Sequence, residues 1–193
     1  MSSSRTYREL SIRFAGAGGH GIVFAGRWLG MALVIRGYEV SLRPYYSPAQ
    51  RGGWSKCDMV LAVGEEVPPI LDEVDVLVVT LQSLYLDEIG HVRRGGLVIV
   101  DADAVKQRGA RSDVIELAYP AFKTSISVTG KDRYGNAALI GFISGLLDLV
   151  DVDTLLTALK RLGGRDLEAN SAVLRKGYED GVKVREQKHI ILS

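Results

Sequence analysis

Between Leu10 and Gly16 the chain alternates apolar and polar residues (LSIRFAG), the period-two pattern of a strand with one face in a core. From Ile22 to Arg36 (IVFAGRWLGMALVIR) apolar residues occupy nearly every side of a helical wheel, which predicts a helix buried on most sides. Gly26 and Gly30 stand one turn apart on it. Each costs about 1 kcal/mol of helix propensity relative to Ala, a loss that close approach of the helix to the sheet would offset. Gly37 suits the left-handed position that ends a helix. YEVSLRP (38–44) predicts a second strand stopped by Pro44, and a polar turn, YYSPAQRGG, follows. WSKCDMVLAV (54–63) alternates well enough for a third strand, compatible with an antiparallel setting. VDVLVVT (74–80) is an almost pure β-branched run, typical of a strand covered on both faces. LQSLYLDEIGHV (81–92) is short and helical, GGLVIVDAD (95–103) is a buried strand, and DVIELAYP (113–120) is a further strand closed by Pro120.

The texture then changes to helices. NAALIGFISGLLDLV (136–150) carries Gly141 and Gly145 at i, i+4. DVDTLLTALKRLGG (151–164) opens on Asp caps and closes on Gly-Gly, and RDLEANSAVLRKGYEDGVKVREQ (165–187) is long, charged and amphipathic. No linker separates these helices from the strands, so residues 1–193 read as a single domain. Strand and helix alternate through the first two-thirds. The expected fold is a three-layer α/β/α sandwich, with a Rossmann-like, mostly parallel sheet, at least one antiparallel strand and C-terminal helices.

Composition narrows the chemistry. The chain is 47% hydrophobic and 24% charged, enough for a real core. Its 24 basic residues nearly balance 23 acidic ones, which argues against a protein that works by neutralising nucleic-acid phosphates. The first residues, MSSSRTYREL, lack a signal peptide's apolar core, and no uninterrupted apolar stretch is long enough to span a bilayer. The expectation is a cytoplasmic protein with neither nucleic-acid nor membrane partners. Cys57 is the single cysteine, so the chain forms no internal disulfide and cannot itself supply the four thiolates of an iron–sulfur cluster. His20, His91 and His189 stand far apart with no helical H-x-x-x-H pair, and no metal site is expected. Electron carriers for any redox role would sit on other chains.

Two loops carry the candidate chemistry. In GAGGHG, Gly16 to Gly21, four of six residues are glycine, between a strand and a helix. Such a turn admits positive φ and close backbone approach, and helix-start amides make an anion site. Gly16, Gly18 and Gly21 fit the dinucleotide fingerprint. Its acidic ribose partner, expected about 20 residues on at the end of the second strand, is missing: Arg43 occupies that place and Glu39 comes too early. An Arg could hold a 2′-phosphate, so a stand-alone NADP-binding Rossmann-type oxidoreductase remains an alternative; a tight packing turn is the other. The second loop, YYSPAQRGGWSKC (45–57), gathers two tyrosines, Arg51 and the pair Gly52–Gly53. Arg51 can fork two hydrogen bonds to a carboxylate or phosphate. Tyr45, Tyr46, Pro48 and Trp54 mark an interface, because aromatic residues are favoured at buried contacts. The same apolar loop would let the isolated chain self-associate.

Together the loops resemble the gamma subunit of 2-oxoacid:ferredoxin oxidoreductases, whose pattern is G-x-G-G-Q-G followed by Y-x-P-x-x-R-G-G. The match falls on Gly16, Gly18, Gly19 and Gly21, and on Tyr46, Pro48, Arg51, Gly52 and Gly53. VDVLVVT, GGLVIVDAD, YGNAALIG and NSAVLRKGYEDG resemble later family segments. His20 stands in place of the family Gln; it reads as a polar residue at the loop surface, able also to carry a proton near neutral pH. The resemblance implies a subunit of a complex that oxidatively decarboxylates a 2-oxoacid such as 2-oxoglutarate or pyruvate to an acyl-CoA. Thiamine diphosphate, Mg, iron–sulfur clusters and coenzyme A would be held chiefly by partner chains: thiamine-binding alpha and beta subunits and a ferredoxin-like delta subunit or domain. No thiamine motif is recognisable here. The isolated chain would be inactive and carry no catalytic residue, with Gly16, Gly18, Gly19, His20, Gly21, Arg51, Gly52 and Gly53 facing the coenzyme A end of the site.

Overall fold

The computed structural model describes residues 6–48, 53–64 and 71–188. Arg51 and Gly52 lie outside them, as does His189. The first run of alternation becomes β1 (Glu9–Ala17), followed by α1 (Ile22–Ile35), β2 (Glu39–Tyr46), β3 (Trp54–Ala62), β4 (Val74–Val79), α2 (Gln82–Ile89), β5 (Val92–Asp101), β6 (Ile115–Tyr119), α3 (Ala121–Thr129), α4 (Gly135–Leu147), α5 (Val152–Arg161) and α6 (Leu167–Lys188).

One sheet holds the strands in the order β2-β3-β1-β4-β5-β6. The pairs β1–β4, β4–β5 and β5–β6 are parallel, and β3 runs antiparallel to both β1 and β2. β3 is thus the one reversed strand of this sheet, which agrees with the mostly parallel fold expected above. Alternation along β1 sends Ile12 and Phe14 into the larger core, with α1, α4 and α5, and Ala15 into a smaller core with α2. The three layers are therefore unequal: several helices on one face and α2 on the other.

Two expectations need correction. β2 does not stop at Pro44 but runs through it to Tyr46. The Ser47 amide donates to the Trp54 carbonyl at 2.9 Å. Alternation back along the Pro44↔Cys57 register then puts Pro44 at a position whose nitrogen faces away from β3. β2 is an edge strand, so the missing N–H removes no ladder bond. The second correction is α3, a stretch the sequence left without an element. Pro120 at its N-cap offers no side-chain cap. The acceptor comes instead from the end of β5, where Asp101 Oδ2 takes the amides of Ala121 (3.0 Å) and Phe122 (3.4 Å) while its Oδ1 takes those of Asp103 and Ala104.

Gly26 and Gly30 are explained by contact. A Cβ on Gly26 would lie 2.6 Å from Cys57 Sγ, and one on Gly30 3.1 Å from a Leu42 methyl. α1 lies directly on β2 and β3, as the helix pattern predicts.

Candidate functional site at the two-loop rim

β1 enters α1 on one face of the sheet and β4 enters α2 on the other. The adjacent carboxyl ends of β1 and β4 therefore form a topological switch point, the usual crevice of open α/β sheets. The glycine loop occupies this place. Gly19 has φ +90° and Gly21 φ +69°, a region side-chain-bearing residues seldom adopt. Gly16 and Gly18 are needed for space. A Cβ on Gly16 would collide with Thr80 Oγ1 and Ile22, and one on Gly18 would lie 3.0 Å from the Gly53 carbonyl oxygen.

That carbonyl makes the site. The Gly18 amide donates to Gly53 O at 2.7 Å. In the antiparallel β1–β3 register, Glu9↔Ala62 through Ala17↔Trp54, Gly18–Gly53 is simply the next rung. The two loops meet because β1 ends where β3 begins. Gly16, Gly18, Gly19, His20, Gly21 and Gly53 thereby come onto one rim. Of the second loop's other binding residues, Arg51 and Gly52 fall outside the described residues.

Gly21 is the N-cap of α1, no side chain caps it, and the first turn holds no acid. Its leading amides have no intrahelical acceptor and present partial positive charge. Two buried side-chain atoms here lack a partner: Thr80 Oγ1 and His20 Nδ1. His20 is half-buried, its ring 4.6 Å from that of Phe122 at 50°, rather than a satisfied polar residue on the loop surface. Asn136 stands over Gly21, its Nδ2 2.7 Å from where a Cβ would be, and its Oδ1 accepts from the Ala137 amide at 2.9 Å. The candidate set in the sequence omitted Thr80, Phe122 and Asn136. Only Asn136 had left a signal, as the polar residue opening the apolar run AALIGF.

The interface residues cluster at the neighbouring hairpin end. Tyr46 is 63% exposed and Pro48 is exposed, while Tyr45 and Trp54 are half-buried. Behind them, on the α2 side, lies a run of charges. Arg13 forks onto Asp58 at 2.6 and 2.8 Å and reaches Glu88 at 3.2 Å, and Lys56 donates to Glu88 at 2.8 Å. Burial alone would lower the Arg13 pKa, but its hydrogen bonds and the charges of Asp58 and Glu88 outweigh this and raise it. Burial, then the nearby Asp58 carboxylate, pushes the Tyr45 hydroxyl up.

The NADP alternative needs the end of β2 beside β1. Here β3 is interposed, so β2 lies two strand spacings away, roughly 10 Å, and Arg43 lies against the Tyr45 ring at 5.2 Å. The site is the switch-point crevice of an open α/β sheet, with an uncapped helix start on the glycine turn and Gly53 bonded beside it. Residues 11–180 match the family described as pyruvate ferredoxin/flavodoxin oxidoreductase, and the chain belongs to that family.

Its relatives agree. The 2-oxoglutarate synthase subunit KorC of Archaeoglobus fulgidus is 33% identical over 94% of this chain and 92% of its own length. The ketoisovalerate oxidoreductase subunit VorA of Methanothermobacter marburgensis is 32% identical over 90% of this chain but 37% of its own length. Among solved structures, the gamma subunit of a keto/oxoacid ferredoxin oxidoreductase from Geobacter sulfurreducens superposes with TM-score 0.77 at 24% identity, covering 90% of this chain and 99% of that one. A 2-oxoglutarate:ferredoxin oxidoreductase from Magnetococcus marinus, with 2-oxoglutarate, coenzyme A and succinyl-CoA bound, gives 0.81 at 20% identity over 92% of this chain and 32% of that one. The homologues are subunits of 2-oxoacid oxidoreductases, which supports the subunit reading and not a stand-alone NADP enzyme. No helix among the described residues is long and apolar enough to cross a membrane.

Proposed function

We propose that this chain is a single-domain gamma-type subunit whose two-loop rim faces coenzyme A in a complex converting a 2-oxoacid to an acyl-CoA. The substrate class is 2-oxoglutarate or a related 2-oxoacid. Thiamine-binding alpha and beta subunits and a ferredoxin-like delta subunit or domain carry the thiamine diphosphate, Mg and iron–sulfur chemistry, in the cytoplasm. A chain with one cysteine cannot supply the cluster ligands. The hairpin end, Tyr45, Tyr46, Pro48 and Trp54, docks onto those companions.

The observation that carries the reading is the Gly18–Gly53 rung. It sets the start of α1, with its uncapped amides, beside Gly53, which follows Arg51 by two positions in the sequence. Amides of Gly19 and Gly21, the His20 ring and the Arg51 guanidinium suit the phosphate groups of coenzyme A: helix-start amides favour anions and an Arg fork matches phosphate. Thr80 and Asn136 supply further hydrogen-bonding groups around the same loop. In the reconstituted complex, Arg51→Ala should weaken coenzyme A binding roughly tenfold, the loss of one charge-assisted contact, as measured by titration calorimetry. An unchanged affinity would remove Arg51 from this role.

A further inference from the structure

The rim is built on one end of β3, and the residues that brace that end come from the sheet's α2 side. Lys56 lies in β3, two residues beyond Trp54, so both side chains emerge on one face. Tyr45 is directly opposite it in the β2–β3 register. The Lys56 ammonium sits 5.0 Å from the Trp54 ring and 5.7 Å from the Tyr45 ring, and donates to Glu88 of α2. Glu88 in turn accepts from Arg13 of β1, which is forked onto Asp58 of β3. Glu88 is 4% exposed, Asp58 2% and Arg13 6%.

A sheet face does not need this for stability. Burying each charge carries a desolvation cost before pairing, and well-packed apolar residues often do as well or better. What fixed ion pairs add is direction. This chain of contacts ties α2, β1, β3 and β2 together just beneath the two backbone bonds that close the rim, Gly18 to Gly53 and Ser47 to Trp54.

We propose that Lys56, held by Glu88 and clamped between Trp54 and Tyr45, is a positioning residue that fixes the two-loop rim from the opposite face of the sheet. Its functional consequence rests on the coenzyme A reading above; the positioning itself does not. Lys56 acts through the residues it contacts rather than on the ligand. It holds Trp54, and through Trp54 the adjoining Gly53 carbonyl, at one height relative to the glycine loop. The class of ligand served is an anion whose groups must be met by both loops at once.

Amide hydrogen exchange on the full chain tests this. Lys56→Met keeps the stem and loses the charge; Glu88→Gln keeps the shape and loses the counter-charge. Each should speed exchange at the Gly18 and Ser47 amides by roughly tenfold, while Val78 of β4 and Ile99 of β5 exchange as before, a local rather than global opening. Lys56→Arg should restore slow exchange at both amides. Unchanged rates at Gly18 and Ser47, or an equal rise at Val78 and Ile99, would overturn the proposal. If Lys56→Met does not fold, Glu88→Gln gives the same decision. In the reconstituted complex, Lys56→Met should raise the KM for coenzyme A and leave kcat unchanged. A normal KM beside faster local exchange would count against the coenzyme A reading and leave the positioning role standing.

Discussion

Cys57 is the single thiol of the sequence, and it is 1% exposed under α1. Burial, reinforced by the Asp58 charge, pushes it up to about 12. A thiol held protonated in the fold favours the native state below its ordinary value of 9.0. That contribution is lost as pH climbs from there towards the raised value, because only the unfolded chain then releases the proton easily. The native protein should resist iodoacetamide at pH 8 and react after unfolding in urea, as mass spectrometry would show. Asp101 is a buried side chain saturated by four backbone amides. Asp101→Ala leaves all four without an acceptor and should cost about 3 kcal/mol, read by urea denaturation. Its part was hidden in the sequence, where DAD looks like a strand end; the helix it caps begins 20 residues later. The site shows the same division. The glycines and Arg51 stood out because their types and spacing are unusual, whereas Thr80 and Phe122 are ordinary residues that only the chain's folding brings to the rim.

Elements show what periodicity captures. β1, α1, β4, β5 and the C-terminal helices follow from hydrophobic period because each buries a continuous face. β2 was cut short at Pro44 because the sequence says nothing about which way that nitrogen points, and α3 was missed because its cap is remote. The spacing of Gly141 and Gly145 on α4 was visible, but its reason lies in α6. A Cβ on Gly141 would run into the backbone of Leu174, one on Gly145 into Tyr178, and Gly177 and Gly181 of α6 meet Ala138 and Phe142 in return. The two helices touch backbone to backbone. Gly141→Ala would gain about 1 kcal/mol of helix propensity, yet it must drive the helices apart. A net loss of about 2 kcal/mol is expected in urea unfolding.

At the scale of the molecule, the decisive fact is the place of β3. An antiparallel strand inserted between β2 and β1 removes the nucleotide geometry that the glycine fingerprint alone suggests, and joins the two loops instead. That strand order is a tertiary choice, which is why the sequence left the NADP alternative open. The resulting body brings a rim and one cysteine, and no set of cluster ligands. Supplied with 2-oxoglutarate, coenzyme A and methyl viologen, the isolated chain should give no colour from the reduced dye; turnover should need its companion subunits.

The outward-facing nitrogen of Pro44 has a consequence for how such a body can assemble. A free sheet margin invites another copy to continue the sheet, and then another. On β2 the row of outward donors is broken at Pro44, midway between Leu42 and Tyr46. A second copy continuing the sheet from that margin would go without one ladder bond at the ring, which disfavours open-ended growth there.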